Sequence, residues 1–142
     1  VLATRIFGSY GAVPLDLGRR WPDGRPVFGT SKSWRGVVFA VAGACLSGQL
    51  FGYGWVFGAL FGLLAMAGDL VSSFIKRRMG LRPSAKCTGL DQLPEALLPS
   101  LYAAWVLGLA WWLTLLLPLA FMLLEILISR PLYKLRIRKR PY

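Results

Sequence analysis

The sequence predicts an all-α membrane protein with about four transmembrane helices joined by basic loops. Hydrophobic residues make up 56% of its 142 residues and charged residues 16%, whereas an average soluble domain has roughly 25% charged residues. Lys and Arg nevertheless outnumber Asp and Glu by 17 to 6. Two segments, 36–68 and 96–124, contain no charged residue. Each is longer than the roughly 20–25 residues of one membrane span, so each predicts two helices.

The first uncharged segment predicts helices over residues 33–50 and 54–77. The sequence Gly52-Tyr53-Gly54 near its middle is typical of a turn. Tyr and Trp are enriched at membrane–water interfaces. Tyr53 and Trp55 therefore suit a turn at the end of a span.

The second uncharged segment predicts helices over residues 94–116 and 119–133, with a break at Pro118. Proline lacks the N–H that a helix interior needs, so it commonly ends a helix. Glu125 and Arg130 interrupt the last helix, and a basic tail follows over residues 134–140.

The positions of the basic residues predict the topology. With four spans, the polar segments 1–35, 76–92 and 130–142 lie on one side of the membrane, and they contain all 17 Lys and Arg residues. The turns around Tyr53 and Pro118 on the opposite side contain none. Because basic residues mark cytoplasmic loops, we expect one integral domain, residues 1–142, in the inner or plasma membrane. Its polar segments, and any active site in them, would face the cytoplasm.

The composition also excludes several kinds of site. There is no histidine, which excludes a histidine base and histidine metal ligands. Cys45 lies in an apolar run and Cys87 in a basic loop, at different expected depths. Neither a disulfide framework nor a zinc site of about four Cys or His ligands fits them. A soluble nucleic-acid-binding protein is excluded because its basic residues would lie on a polar surface, so nucleic acid is not an expected partner.

Asp69 lies within the second predicted span, near its cytoplasmic end. A carboxylate in a membrane helix costs about 2.5–3.5 kcal/mol on insertion scales, so it normally faces a partner or a watery cavity. Helical spacing places Asp69, Ser72, Ser73 and Lys76 on one face. This predicts a functional site at the cytoplasmic end of the second helix. The simpler alternative is that Asp69 lies near the interface and only pairs with Lys76 or Lys32.

Two basic motifs are candidates for binding phosphate groups. Thr30-Ser31-Lys32, with Arg35, lies at the start of the first helix, and Lys76-Arg77-Arg78 ends the second. Hydroxyl groups and cations at a helix N-terminus form an anion site. The alternatives are ordinary helix capping for the first motif and attraction to anionic lipid headgroups for the second.

Two further acids, Asp91 and Glu95, flank the start of the third helix. Acids in this position stabilise a helix through its dipole. The alternative is that Asp91 shares a cation with Asp69. Mg²⁺ typically takes one or two carboxylates plus substrate phosphates, so two carboxylates at one membrane face meet the minimum.

Taken together and in this order, four motifs resemble the CDP-archaeol synthase family. These are small integral-membrane cytidylyltransferases related to phosphatidate cytidylyltransferases. The motifs are PLDLG at 14–18, FGTSKSWRG at 28–36, GDLVSSFIKRRMG at 68–80 and LDQL at 90–93. The third motif is specific by itself, whereas the others are informative as an ordered set. Members that resemble this chain have five spans, so the first would precede Val1.

The resemblance implies transfer of CMP from CTP to a phosphatidate-like lipid, ester- or ether-linked, in phospholipid biosynthesis. The products would be a CDP-activated lipid and pyrophosphate. The implied partners are CTP, the lipid and the membrane, the implied cofactor is Mg²⁺, and a homo-oligomer is left open. A non-catalytic membrane protein that binds anionic headgroups is the alternative function.

The resemblance also implies roles for single residues. Asp69 and Asp91 would bind the metal, and together with Lys76 they would be the catalytic residues. Asp16 would bind metal or position the loop before the first helix. Substrate would be bound by seven residues, namely Thr30, Ser31, Lys32, Arg35, Ser73, Arg77 and Arg78.

Overall fold

The protein is all-helical over the residues that the computed structural model describes, which are 13–82, 85, 87 and 89–134. The four helices are α1 Trp34–Leu50, α2 Trp55–Arg78, α3 Gln92–Leu107 and α4 Leu113–Lys134. Each helix packs against the next one along the chain. For residues 125, 126 and 128–134 only the backbone is described.

The first two helices begin and end where the sequence predicts, to within a residue. Ser33 precedes α1, and its Oγ accepts a hydrogen bond from the N–H of Gly36 at 3.3 Å, which is ordinary N-capping. The break after α1 occurs at Gly52 and Gly54, whose φ angles are +80° and +85°. These angles favour glycine because it has no Cβ. The predicted turn is therefore confirmed.

Glycines allow α1 and α2 to approach closely. A Cβ on Gly58 would lie 2.3 Å from the carbonyl oxygen of Ala44, and one on Gly62 would lie 2.8 Å from the Cβ of Ala44. Small residues at such positions let helix backbones come near each other in a membrane. This contact fixes the position of α2 relative to the segment that precedes α1.

Among the described helices, α2 alone is both long and apolar enough to cross a membrane by length and hydropathy. Its 24 residues correspond to about 36 Å at 1.5 Å per residue, against a hydrocarbon core of about 30 Å. Helices α1 and α3 have 17 and 16 residues, fewer than the roughly 20 of a typical span. The number of spans therefore stays a prediction.

The predicted boundary between the last two helices is wrong. Helix α3 ends at Leu107 because Gly108 follows in the left-handed conformation, with φ +63°, which is a common helix end. Helix α4 begins at Leu113 and continues through Pro118, which is fully buried. Proline is tolerated inside membrane helices because neighbouring groups satisfy the freed backbone atoms. The break thus lies at residues 108–112 and not at Pro118.

Candidate functional site

Among the described residues, polar side chains of the loop before α1, of α2 and of the start of α3 meet along the C-terminal half of α2. We call residues 13–33 the first loop. Its two ends form an antiparallel bridge at Pro14 and Ser33. In this bridge the N–H of Leu15 donates to the carbonyl of Lys32 at 2.8 Å, and the N–H of Trp34 donates to the carbonyl of Val13 at 3.2 Å. A second antiparallel bridge, between Arg20 and Pro26, closes its tip. The loop is therefore an ordered element that can carry side chains to α2.

Asp16 orders the first loop from inside. Its side chain accepts the N–H groups of Gly18 at 3.1 Å, Phe28 at 3.1 Å and Gly29 at 2.9 Å. Burial acts to raise the pKa of Asp16, but these backbone hydrogen bonds outweigh it and lower the pKa below its ordinary value. All three bonds hold the loop together, so Asp16 positions the first loop.

Lys32 and Asp69 form an ion pair that joins the first loop to α2. Their side chains are about one-fifth exposed, at 20% and 22%. A cavity of about 130 Å³ adjoins the pair, and its wall includes Ser31 and Met66. The pairing of Asp69 with Lys32 is the simpler of the two alternatives considered for this carboxylate.

The predicted face of α2 points into the protein. Ser72 and Ser73 are buried, and Lys76 is 7% exposed. The Ser72 hydroxyl donates to the backbone carbonyl of Asp69 at 2.9 Å. Ser73 lies one turn after Asp69, which fits the helical spacing that placed these residues together.

Lys76 pairs with Asp91 at the start of α3. The distance from the Lys76 Nζ to the Asp91 Oδ1 is 2.5 Å, and the Nζ also donates to the carbonyl of Ala85 at 3.3 Å. The other Asp91 oxygen accepts the N–H of Cys87 at 3.0 Å. This ion pair therefore anchors the loop between α2 and α3 as well as the two helices themselves.

Arg77 is a buried cation with spare hydrogen-bond donors. The residue is 3% exposed, and its Nη2 donates to the carbonyl of Arg82 at 2.7 Å. Its Nε and Nη1 are buried and have no hydrogen-bond partner among the described residues. Burying a guanidinium with unsatisfied donors is costly. Arg77 is therefore a candidate for binding an anion.

The remaining candidates lie around this cluster. Thr30 and Ser31 are exposed, and Arg35 is partly buried in the first turn of α1. Arg78 faces the first loop, where its Nη1 donates to Asp23 at 2.6 Å. The structure therefore brings Lys32, Asp69, Lys76, Arg77 and Asp91 to one end of α2, and it directs Arg78 elsewhere.

The two carboxylates proposed for the metal each contact a lysine. Among the described residues there is no group of three or more Asp, Glu, Cys or His side chains that could hold a metal ion. Asp69 and Asp91 each form an ion pair with a lysine ammonium group, so each carboxylate already has a cationic partner. A metal at either carboxylate would therefore need further ligands from a bound molecule.

Sequence reasoning missed the residues that hold the first loop on α2. They are Trp21, Asp23 and Arg25, at the tip of the loop. The signal was present, since Trp21-Pro22-Asp23-Gly24 contains a Pro-Asp-Gly turn sequence. A turn predicted there would have placed Asp23 and Arg25 at the tip of the loop, where their side chains can reach another element.

Comparison with known proteins gives consistent matches. A family model described as CarS-like, CDP-archaeol synthase, matches residues 2–54 and 53–142. CDP-archaeol synthases of Pyrococcus furiosus and Methanopyrus kandleri are 38% identical over 92 residues and 44% identical over 98 residues. These matches cover 58% and 65% of this chain, and 55% and 56% of the relatives. The chain thus spans about half the length of the curated relatives it matches.

A solved structure resembles the fold. It is that of an intramembrane enzyme for archaeal membrane lipids biosynthesis, with a TM-score of 0.70 and 29% sequence identity. The match covers 89% of this chain and 84% of the other.

Proposed function

Since the chain belongs to the CarS-like CDP-archaeol synthase family, which confirms the resemblance predicted from its motifs, we propose that it transfers CMP from CTP to a lipid phosphate. An oxygen of the lipid phosphate attacks the α-phosphorus of CTP. The bond from that phosphorus to the bridging oxygen of the β-phosphate breaks, and pyrophosphate leaves. The products are a CDP-activated lipid and pyrophosphate.

The buried Arg77 guanidinium is the observation that carries this proposal. Arg77 follows Lys76 of the Lys76–Asp91 pair at the C-terminal end of α2, and two of its donors are unsatisfied. Polyphosphate supplies the acceptors that such donors lack, and guanidinium–phosphate hydrogen bonds are strong because both groups are charged. Neutral ligands would leave this charge uncompensated.

The reaction needs charge neutralisation and alignment more than a protein base. A lipid phosphate is already a nucleophile at neutral pH, so the absence of histidine is no obstacle. In phosphoryl-type transfers, positioning and electrostatic stabilisation supply most of the rate. We assign Lys32, Arg35, Lys76 and Arg77 to the phosphates of CTP and lipid.

Hydroxyl groups complete the proposed substrate site. Thr30 and Ser31 lie just before α1 and are exposed, so they are placed to donate to a phosphate near the helix N-terminus. Ser73 is buried one turn after Asp69, and we assign it a supporting contact to the bound substrate.

Asp69 and Asp91 are the residues that would hold Mg²⁺. Each is a carboxylate that accepts a cationic partner, and Mg²⁺ takes its other ligands from substrate phosphates and water. When bound, the ion would neutralise charge that develops on the triphosphate. Lys32 and Lys76, which contact the same carboxylates, are then available to the phosphates.

An apolar cavity of about 400 Å³ between α2, α3 and α4 supports a lipid substrate. Its walls include Phe61, Pro99, Ala103, Leu117 and Phe121. A lipid chain in the bilayer already lies in hydrocarbon, so an apolar cavity would hold it through packing contacts. We propose that one chain of the lipid lies in this cavity.

The decisive experiment measures CMP transfer directly. The full-length protein in detergent receives Mg²⁺, radiolabelled CTP and a panel of ester- and ether-linked phosphatidates. We expect label in a lipid product, and we expect Asp69→Asn to abolish it while membrane insertion is retained. Glu125→Gln on α4 is the matched control, because it also removes one carboxylate. Absence of labelled lipid under every condition would show the proposal to be wrong.

We further propose that the site faces the cytoplasm of the inner or plasma membrane. The basic residues support this, because all of them lie in the segments assigned to that side. In a cysteine-free background, Tyr53→Cys should react with an impermeant maleimide added outside the cell. Reaction of that position from the cytoplasmic side alone would reverse the orientation.

A further inference from the structure

We propose that Arg78 is a positioning residue that fixes the first loop on the end of α2 and thereby brings Lys32 to Asp69. Its effect on CTP rests on the proposed function, whereas its effect on the loop does not. Arg78 acts together with four other residues, and we call the five the arginine clamp: Trp21, Asp23, Arg25, Phe74 and Arg78.

The terminal nitrogens of Arg78 are occupied by the tip of the first loop. Its Nη1 donates to the Asp23 Oδ1 at 2.6 Å, and its Nη2 donates to the carbonyl of Pro26 at 2.6 Å. The same Nη2 lies 3.5 Å from the carbonyl of Arg25. The planar fork of arginine suits this arrangement, since it presents several donors in fixed directions.

Arg25 of the first loop in turn contacts the C-terminal end of α2. Its Nη1 donates to the backbone carbonyls of Arg77, at 3.4 Å, and Arg78. Carbonyls in the last turn of a helix lack partners within the helix, and a basic side chain near them also interacts favourably with the dipole. The two arginines thus join the same two elements in opposite directions.

Aromatic rings support the clamp. Trp21 and Phe74 meet edge to face, with centroids 5.2 Å apart. The Arg78 guanidinium lies 4.9 Å from the centroid of Phe74 and 5.9 Å from that of Trp21. Cation–π contacts of this kind contribute to holding a charged group in one orientation.

The clamp is connected to Lys32 through an ordered backbone. The backbone N–H of Val27 donates to the carbonyl of Arg19 at 3.2 Å, and the backbone N–H of Lys32 donates to the carbonyl of Gly29 at 3.2 Å. The clamp and the Lys32–Asp69 pair attach the loop to α2 at points about 13 Å apart along the helix, since Arg78 and Asp69 are nine residues apart. Fixing one attachment point therefore restricts the other.

The contacts of Arg78 contrast with those of Arg77. The Nε and Nη1 of Arg77 have no partner among the described residues. In Arg78 only the Nε lacks one there, and both terminal nitrogens are used within the protein. The role that the contacts favour for Arg78 is therefore to hold the loop, although its motif predicts substrate binding.

Arg78→Lys separates these two roles. Lysine keeps the charge that a phosphate ligand needs, but it loses the fork and the stacking that the clamp uses. We expect faster hydrogen exchange at the amides of Trp21, Gly24 and Val27, measured by mass spectrometry of the full chain in detergent. We also expect CTP binding to weaken by about tenfold. Arg19→Lys is the matched control, because Arg19 is an exposed arginine of the same loop.

A double-mutant cycle with Lys32→Met tests whether Arg78 acts through Lys32. If it does, Arg78→Lys has little further effect on CTP binding once Lys32 is replaced. Multiplied losses in the double variant would show that Arg78 does not act through Lys32 and would overturn the proposal. Unchanged exchange in Arg78→Lys would also overturn it. If the unsubstituted protein binds no CTP, the proposed function fails, and the exchange measurement still tests the clamp.

Discussion

Gly68 precedes Asp69 in α2, and the backbone of α3 lies very close to it. A Cβ at this position would lie 2.0 Å from the carbonyl oxygen of Pro94 and 2.8 Å from the Cα of Glu95. Ordinary van der Waals contact for a Cβ begins at 3.4 Å. In Gly68→Ala, the start of α3 must therefore move by about 1.4 Å, which is the difference between 3.4 Å and the 2.0 Å to the Pro94 oxygen. This movement displaces Asp91 relative to Asp69.

The expected loss of activity exceeds the expected loss of stability. Forcing a methyl group into a packed contact costs about 1–3 kcal/mol, and replacing glycine by alanine in a helix returns about 0.8–1.0 kcal/mol. The net destabilisation is then about 0–2 kcal/mol. Misplacement of catalytic groups by about 1 Å can lower a rate by about 10²-fold, so CMP transfer should fall by that order.

Two measurements on the same preparation check this prediction, namely thermal unfolding in detergent and radiolabelled CMP transfer. Gly43→Ala is the matched control, because a Cβ there meets nothing within 4 Å. That variant should be unchanged in activity and more stable by about 0.8–1.0 kcal/mol. Wild-type transfer and stability in Gly68→Ala would refute the close contact between α2 and α3.

Two further predictions concern the charged residues around the site. The depressed pKa of Asp16 means that its carboxylate stabilises the first loop fully above pH 3.8, its ordinary value, and that this contribution is lost as the pH falls further. The protection of the Gly29 amide, meaning its exchange rate relative to that of an unstructured amide at the same pH, should therefore fall below that pH, and in Asp16→Asn it should be low at every pH. Lys76→Met should lower the free energy of unfolding by about 1–2 kcal/mol, less than for a fully buried pair because Asp91 is partly exposed. Adding Asp91→Asn should restore part of that loss, and an additive loss in the double variant would contradict the pairing.

The helices could be predicted where a local signal decides the backbone. Gly52 and Gly54 adopt positive φ angles and end α1 where the sequence predicts it. The break predicted at Pro118 was wrong because proline removes one backbone hydrogen bond of the helix but does not by itself end a membrane helix. Gly108 carried the true signal, yet a glycine in an apolar run looks the same whether it caps a helix or packs inside one.

Helical spacing predicts which side chains of α2 share a face, but it does not predict which residues of other segments they pair with. Helical spacing correctly puts Asp69 and Lys76 on one buried face of α2. Their partners, however, come from other segments: Lys32 from the first loop and Asp91 from α3. Those partners depend on how closely the elements pack, which no local pattern reports.

The order of the packed elements has a consequence for biosynthesis. Three ion pairs, namely Lys32–Asp69, Lys76–Asp91 and Arg78–Asp23, join residues between 23 and 91. Since each helix packs against the one before it, these contacts require nothing from α4. A ribosome that has released α3 into the membrane has therefore already supplied both partners of all three ion pairs, and α4 then adds Leu117 and Phe121 to the wall of the apolar cavity.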